Sequence, residues 1–175
     1  MKITYSQRLL VAAWLLTACG TAAADNMAFS GTLRAQACTL HPDDALISVK
    51  FDGVGSRDLY VNGGTDDKRF TIRLLNCNLN VAGSVETTFI GHTNTKIPGS
   101  LALDPGSSAG GFAIMFKDAA RNSIKIGEQS ASPLTAPDTE LVFYRRLQVE
   151  PDALVTKGIT PGQFTANASF ALYYP

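Results

Sequence analysis

The sequence has few of the residue types from which enzymes build catalytic and metal centres. It contains two histidines and three cysteines among 175 residues, and neither His41 nor His92 has other metal-ligating residues at ligand spacing. No G-x-S-x-G motif is present, and the glycine-rich run at residues 106–111 lacks the lysine of a phosphate-binding loop. These absences predict no catalytic residues, no metal site, no cofactor and no small-molecule substrate.

Two acidic doublets, Asp43–Asp44 and Asp66–Asp67, are the remaining candidates for a cation site. Neither lies in the D-x-D-x-D-G loop with which proteins commonly bind calcium. We therefore predict that both doublets are solvated loop charge.

Charge of one sign is not concentrated anywhere in the chain. There are 15 basic and 15 acidic residues, and the only basic doublets are Lys68–Arg69 and Arg145–Arg146. Proteins that bind nucleic acid usually carry a basic patch or stripe. The sequence therefore predicts no nucleic-acid partner.

Long apolar runs are also missing. The run at residues 9–18 is too short to span a bilayer, it follows the basic residues Lys2 and Arg8, and it precedes three alanines at residues 22–24. This pattern is typical of an export signal that is removed. We predict a signal peptide over residues 1–24, cleaved after Ala24.

The three cysteines divide between the signal and the mature chain. Cys19 lies in a context that also matches the lipobox of bacterial lipoproteins, so lipidation of Cys19 is the alternative to cleavage after Ala24. Cleavage leaves Cys38 and Cys77, and an exported chain with two cysteines most often pairs them. We predict one disulfide, with two buried free thiols as the alternative.

What the sequence has in quantity is short stretches in which apolar and polar residues alternate. They occupy residues 27–33, 47–51, 70–74, 85–89, 112–116, 141–149 and 164–174. Alternation of this kind predicts half-buried strands, and the turn residues between the stretches favour an all-β sandwich. Arg145 interrupts one stretch, which predicts a bulge or an edge strand there. Residues 150–157 predict a helical turn.

The first and last of these stretches have no hairpin partner beside them in the sequence. The chain ends inside the alternating stretch QFTANASFALYYP, and residues 27–33 precede the first cysteine of the mature chain. Unpaired apolar strands are an aggregation hazard, and a lone strand is marginal in water. These two ends favour strand addition between chains as the binding mode.

On these features the chain resembles the pilins, the pilus subunits of the bacterial chaperone–usher pathway. The resemblance rests on four features: the alternating N-terminal stretch at residues 27–33, the Cys38–Cys77 pair, Gly162 at the fourteenth position from the C-terminus, and the penultimate Tyr174. More narrowly, residues 56–77 and 151–174 resemble the small adaptor subunits of P-pilus tips.

The resemblance implies an incomplete immunoglobulin-like sandwich that lacks its last strand and is completed by donor-strand complementation. It implies a pilin domain at residues 37–175 and a donor-strand extension at residues 25–36. The extension would enter a neighbouring subunit with Met27, Phe29, Gly31 and Leu33. The final strand would line the groove, and a chaperone would pair with it, through Gly162, Phe164, Ala166, Ala168, Phe170, Leu172, Tyr174 and Pro175. Ala166 and Ala168 are small for groove-lining positions, so the groove is predicted to be shallow beside them.

The function implied is that of a minor, adaptor-type subunit of an adhesive pilus with no catalytic activity. Its partners would be a periplasmic chaperone, an outer-membrane usher and neighbouring pilins, on a route through the periplasm to the extracellular fimbrium. Two alternatives remain at this point. One is a receptor- or carbohydrate-binding sandwich that uses the loops at residues 60–67 or 92–100. The other is a periplasmic lipoprotein enzyme.

Overall fold

A computed structural model of the chain describes residues 36–51 and 53–175. The predicted signal peptide with Cys19, and the predicted donor residues Met27, Phe29, Gly31 and Leu33, lie outside the described residues. No helix in the described part of the chain is long and apolar enough to cross a membrane.

The described residues form eight strands and three short helical segments. In chain order these are β1 (Thr39–Leu40), a 3-10 helix (Pro42–Ala45), α1 (Ser56–Asn62), β2 (Lys68–Leu75), β3 (Ser84–Gly91), β4 (Phe112–Lys117), β5 (Ser123–Ile124), β6 (Gln129–Pro133), β7 (Thr139–Val149), α2 (Pro151–Thr156) and β8 (Ala168–Tyr173). The predicted all-β architecture is confirmed.

The strands form two antiparallel sheets. The larger has the order β1-β2-β7-β4-β5, and the smaller has the order β6-β3-β8. Apolar side chains between the sheets form one core, in which the Phe89 ring of the small sheet lies 4.6 Å from Phe116 and 5.1 Å from Phe143 of the large sheet. Pairs of this kind add to the stabilisation from burial, so the two sheets pack as a sandwich.

The prediction of a bulge or edge strand at Arg145 is wrong. Strand β7 runs without interruption through the centre of the large sheet, and Arg145 is in register with Lys68 of β2 and Phe116 of β4. Its side chain points inward and is only 8% exposed. The guanidinium lies over the Phe51 ring, 4.6 Å from its centroid. The cation–π contact stabilises the charge, and the aliphatic part of the arginine side chain can pack against apolar neighbours, so arginine is tolerated at this mostly apolar position.

The two α-helices differ in how well the sequence predicts them. Helix α2 matches the predicted turn and ends at Lys157 in the left-handed conformation. Helix α1 is not predicted, because its seven residues are too few for a helical period. It ends at Gly63, whose φ of 66° suits glycine. Its buried Leu59 packs in the core, and its Tyr60 hydroxyl accepts a hydrogen bond from the backbone N–H of Ile159.

Two strand predictions also differ from the structure. Residues 47–51 alternate in burial as predicted, but they pair with no strand in the described part of the chain. Strand β6, with the sequence QSASP, is not predicted because it has no large apolar residue. It is held instead by its register with β3, where Ala131 lies opposite Glu86.

The prediction that both acidic doublets are solvated is wrong for one residue of each. Asp67 accepts hydrogen bonds from Lys117 at 3.0 Å and Arg121 at 3.1 Å. Burial raises the pKa of Asp67, but the hydrogen bonds and the positive charges of Lys117 and Arg121 together hold the pKa below its ordinary value. Asp44 is buried beside Arg73. The described residues contain no group of three or more His, Cys, Asp or Glu that could hold a metal ion.

The predicted disulfide between Cys38 and Cys77 is confirmed. Cys38 directly precedes β1, and Cys77 follows β2, so the bond ties the edge strand of the large sheet to its neighbour. Both residues belong to the buried core. The bond therefore fixes the position of β1, from which the chain continues into the 3-10 helix and residues 46–51.

Candidate functional site

The last residues of the chain form one side of the candidate site. We call residues 162–175 the final segment; it includes β8, which is the edge strand of the small sheet and pairs with β3 alone. Side chains at the even positions Phe164, Ala166, Phe170, Leu172 and Tyr174 are half-buried and pack against the core, whereas the odd positions are exposed. The alternation seen in the sequence thus presents one apolar face.

The first half of the final segment is tied to the loop at residues 104–110. The hydroxyls of Ser107 and Ser108 accept hydrogen bonds from the backbone N–H groups of Thr165 and Gln163, respectively. Gly162 has a φ of 156°, and a Cβ there would lie 2.4 Å from the Ser108 hydroxyl. Glycine is therefore needed at this close approach. These bonds occupy one edge of the final segment.

The opposite side of the site is the extended stretch at residues 46–51, which we call the wall segment. Its side chains Ile47, Val49 and Phe51 are half-buried. Those of Ile47 and Phe51 pack against the core, and that of Val49 lines the central cavity. Residues 47–51 make no backbone–backbone hydrogen bond to any described residue. Within residues 36–51 and 53–175, the wall segment is thus a strand-like stretch without a strand partner.

A groove runs between the wall segment and the final segment. Its central section is a cavity of about 140 Å³ whose floor comes from both sheets. That section is lined by Ile47, Val49, Phe51, Phe70, Phe89, Leu101, Ile114, Phe116, Arg145, Ala166, Ala168 and Phe170. Toward Gly162 the Phe51 and Phe164 rings approach to 5.9 Å. The central section of the groove is therefore apolar except at Arg145.

The backbone on the groove side of the final segment has no partner either. The N–H and C=O groups of Phe164 and Ala166 make no hydrogen bond within residues 36–51 and 53–175, while those of Gln163 and Thr165 bond to the 104–110 loop. Backbone polar groups of an edge strand are a template for another strand. An added strand would find backbone partners along both sides of the groove.

Charged side chains hold the wall segment at both ends. At its start, Asp44 accepts hydrogen bonds from the Arg73 guanidinium and the Arg73 backbone N–H, both at 2.6 Å. The Arg73 guanidinium is the main cause that lowers the pKa of Asp44 below its ordinary value. At its end, the Arg145 guanidinium donates to the carbonyl oxygen of Lys50 at 2.5 Å.

Replacing Asp44 tests the first of these contacts. We expect Asp44→Asn to lower the free energy of unfolding by about 1–2 kcal/mol at pH 7, because hydrogen bonds to a charged group are lost. A lowered folded-state pKa stabilises the fold above the unfolded-state value of about 3.9 and ceases to do so as the pH falls through the folded value. The gap between the native chain and the variant should therefore be full at pH 7 and narrow as the pH falls below about 3.9 through the lowered pKa of Asp44. Urea unfolding of the native chain and of the variant at pH 7 and at about pH 2 measures this gap in the free energy of unfolding.

The neighbouring Asp43 provides the matched control for Asp44. Its carboxylate lies 3.7 Å from the same guanidinium, but its side chain is 77% exposed. Exposed pairs contribute little, so Asp43→Asn should leave stability unchanged within about 0.5 kcal/mol. A gap for Asp44→Asn that does not narrow as the pH is lowered from 7 to about 2 would contradict the role assigned to its ionised carboxylate.

The structure places the other predicted residues as follows. Ala168 lies opposite Gly91 of β3 and faces the central section with Ala166. Tyr174 is half-buried, its hydroxyl has no hydrogen-bond partner in the described part of the chain, and burial raises its pKa. Pro175 is exposed at the end of the segment. Sequence reasoning missed the floor residues as parts of a site, because their apolar character signals only a core.

Comparison with known proteins finds fimbrial proteins both by family model and by sequence identity. A family model described as fimbrial protein matches residues 27–175. The chain is 33% identical over 162 residues to the fimbrial adapter PapK of Escherichia coli, covering 89% of this chain and 90% of that protein. It is 31% identical over 148 residues to the major MR/P fimbria protein of Proteus mirabilis, covering 83% of this chain and 81% of that protein.

A solved structure shares the fold. The P pilus rod subunit PapA superposes with a TM-score of 0.68 at 23% sequence identity, covering 80% of this chain and all of that one. At this level of identity the likeness concerns the fold of the sandwich.

Proposed function

The chain belongs to the fimbrial protein family of structural pilus subunits, and on this premise we propose that it is a minor, adaptor-type subunit whose groove takes a strand from another chain. The observation that carries the proposal is a pair of edges, at residues 47–51 and at Phe164 and Ala166, that have no backbone partner among the described residues and lie on either side of an apolar floor. An isolated groove of this kind is unfavourable in water, because its apolar lining stays exposed. The occupant is therefore part of the functional state.

The proposed occupants are two. In the periplasm, an assembly chaperone supplies the first strand beside the final segment. At the outer-membrane usher, the extension of a neighbouring subunit replaces it, and the subunit becomes part of the extracellular fimbrium. By the same logic, residues 25–36 of this chain enter a neighbour's groove through Met27, Phe29, Gly31 and Leu33. Similarity to an adapter protein supports the adaptor role over that of a rod subunit.

The proposed role includes no catalysis. The central section of the groove is lined by a single charged side chain and offers no acid–base pair. The ligand-binding alternative uses the loop at residues 60–67 or that at 92–100. Tyr60, the aromatic residue at the start of the first, is half-buried, and its hydroxyl is engaged with the backbone N–H of Ile159. No observation on the described residues favours that alternative.

Binding of a synthetic peptide tests the proposal. The peptide copies residues 25–36 (DNMAFSGTLRAQ) and is titrated, with a fluorescent label, into the full chain with its disulfide intact. Burial of three large side chains and formation of backbone bonds favour binding, while association and ordering oppose it. We expect half-saturation at or below about 10 µM, which corresponds to roughly 7 kcal/mol.

The control peptide carries aspartate in place of Phe29 and Leu33. Each large side chain contributes about 1.5–3 kcal/mol when buried, so this peptide should bind at least about 100-fold more weakly. Equal binding of both peptides, or no saturable binding of either, would overturn the proposal that the groove takes such a strand.

A further inference from the structure

Exposed apolar side chains are concentrated in two groups, one at each end of the sandwich. Among the described residues eight large apolar side chains are exposed, and five of them belong to these groups. They are Val61, Leu154 and Val155 at one end, and Leu79 and Val81 at the other. Single exposed apolar residues are ordinary on a protein surface, whereas grouped ones mark contact surfaces. Each end therefore carries a candidate contact surface.

The first group lies on the two α-helices, beside the start of the final segment. Helix α1 ends at Gly63, whose carbonyl oxygen accepts a hydrogen bond from the backbone N–H of Val149, the last residue of β7. Helix α2 begins two residues after Val149. The stretch that follows α2 is bridged through Thr160 to Gly110 and leads directly into Gly162. We call this end of the sandwich, with α1 and α2, the helix end.

The second group lies on the turn at residues 78–81, at the opposite end. The turn directly follows Cys77, and its first backbone N–H donates to the carbonyl oxygen of Ala37 at 2.8 Å. Strand β2 runs from the helix end, where it pairs with the last half of β7, to the residues beside Cys77. Ala37 is the residue that follows the proposed donor extension at residues 25–36. The exposed turn therefore lies beside the point at which the extension joins the pilin domain.

An inserted extension brings these two ends together. Every strand pair in the two described sheets is antiparallel, and antiparallel ladders are slightly more stable per residue than parallel ones. An extension that pairs antiparallel with the final segment finishes beside Gly162, at the helix end. Residues 25–36 and residues 163–174 are equally long, and each stretch spans about 40 Å when extended. The donor's pilin domain then begins directly beside the acceptor's helix end.

We propose that consecutive subunits dock end to end, and that the partner is a second copy of this chain. The 78–81 turn of the subunit that donates its extension packs on the exposed apolar side chains of α1 and α2 of the subunit that receives it. This inference rests on the proposed function, because the contact forms when an extension fills the groove. The inserted strand already bears the cost of association, so burial of a few further apolar side chains adds to the affinity.

Competition for the groove tests the contact. The acceptor is the chain with Phe29→Asp and Leu33→Asp, which removes the anchors of its own extension. The donor is the chain whose groove is filled by a copy of residues 25–36, joined after Pro175 by a Gly–Ser linker, so that it can donate but not accept. The donor protein and the free peptide of residues 25–36 each displace a labelled copy of that peptide from the acceptor. We expect the donor protein to do so at an at least tenfold lower concentration.

Substitutions at both ends assign this gain to the contact. In the donor, Leu79→Ser with Val81→Ser should raise the displacing concentration to within about threefold of that of the free peptide. In the acceptor, Val61→Ser with Val155→Ser should weaken binding of the donor protein at least fivefold and leave binding of the peptide unchanged. Ile90→Ser in the donor is the matched control and should retain the full gain, because Ile90 is 53% exposed on the outer face of the small sheet.

The failures of the two proposals are distinguishable. If the labelled peptide does not bind the acceptor, the proposed function fails and this inference fails with it. If the peptide binds, but the donor protein competes no better than the free peptide or keeps its gain without Leu79 and Val81, the end-to-end contact is overturned while the proposed function stands. A loss that follows the donor substitutions but not the acceptor substitutions would place the turn on another surface and would also overturn the contact.

Discussion

Appending a copy of residues 25–36 to the C-terminus of the chain is expected to raise the free energy of unfolding by about 5 kcal/mol. A linker of about four to six Gly and Ser residues after Pro175 lets the copy turn back along the final segment. Three large side chains then become buried, each contributing about 1.5–3 kcal/mol. Because the copy is tethered, it avoids much of the cost of association that a free peptide bears.

The same change should alter the oligomeric state. In the unmodified chain the described residues leave a groove and edge backbone groups without a partner among themselves, and such features favour self-association. The complemented chain should elute as a monomer in size-exclusion chromatography. The control carries Asp at the positions of Phe29 and Leu33 in the appended copy only. If this control is as stable and as monomeric as the complemented chain, then the linker and not groove filling accounts for the effect.

The strands of the sandwich are predictable because their alternation is local. The stretches at residues 70–74, 85–89 and 112–116 all lie within observed strands. Strand β6 is not predictable in this way, because a sequence of Gln, Ser, Ala and Pro has no apolar face and becomes a strand through pairing with β3. The wall segment is the converse case: its alternation is as predicted, yet no strand in the described part of the chain pairs with it.

The candidate site likewise contains local features that the sequence predicts and long-range contacts that it does not. The apolar face of the final segment can be predicted from its period of two, and the need for Gly162 becomes clear only from the contact with Ser108. The two contacts that hold the wall segment cannot be predicted locally. Asp44 and Arg73 are 29 residues apart, and Lys50 and Arg145 are 95 residues apart. Single-sequence patterns carry no information on such pairings, so two buried charges are easily taken for surface charges.

Removing the disulfide is the second change with a large expected effect. We expect the double replacement of Cys38 and Cys77 by alanine to lower the free energy of unfolding by about 4 kcal/mol. The two residues are 39 apart in sequence, and a cross-link across a loop of this length restricts the unfolded chain by about that amount in the entropic description. Alanine suits both positions because both belong to the buried core. Urea unfolding in the strand-complemented background measures the loss, since that background remains folded.

The disulfide has a second effect that the same variants can separate. Cys38 lies a few residues before Asp44 and the wall segment, so the bond also helps to position one side of the groove. If the bond acted on the unfolded chain alone, its removal would cost the same free energy with and without an appended strand. We expect the cost to be larger with the strand, because a displaced wall segment pairs with it less well. Equal costs in the two backgrounds would limit the disulfide to the unfolded state, and a loss below about 1 kcal/mol would contradict its stabilising role.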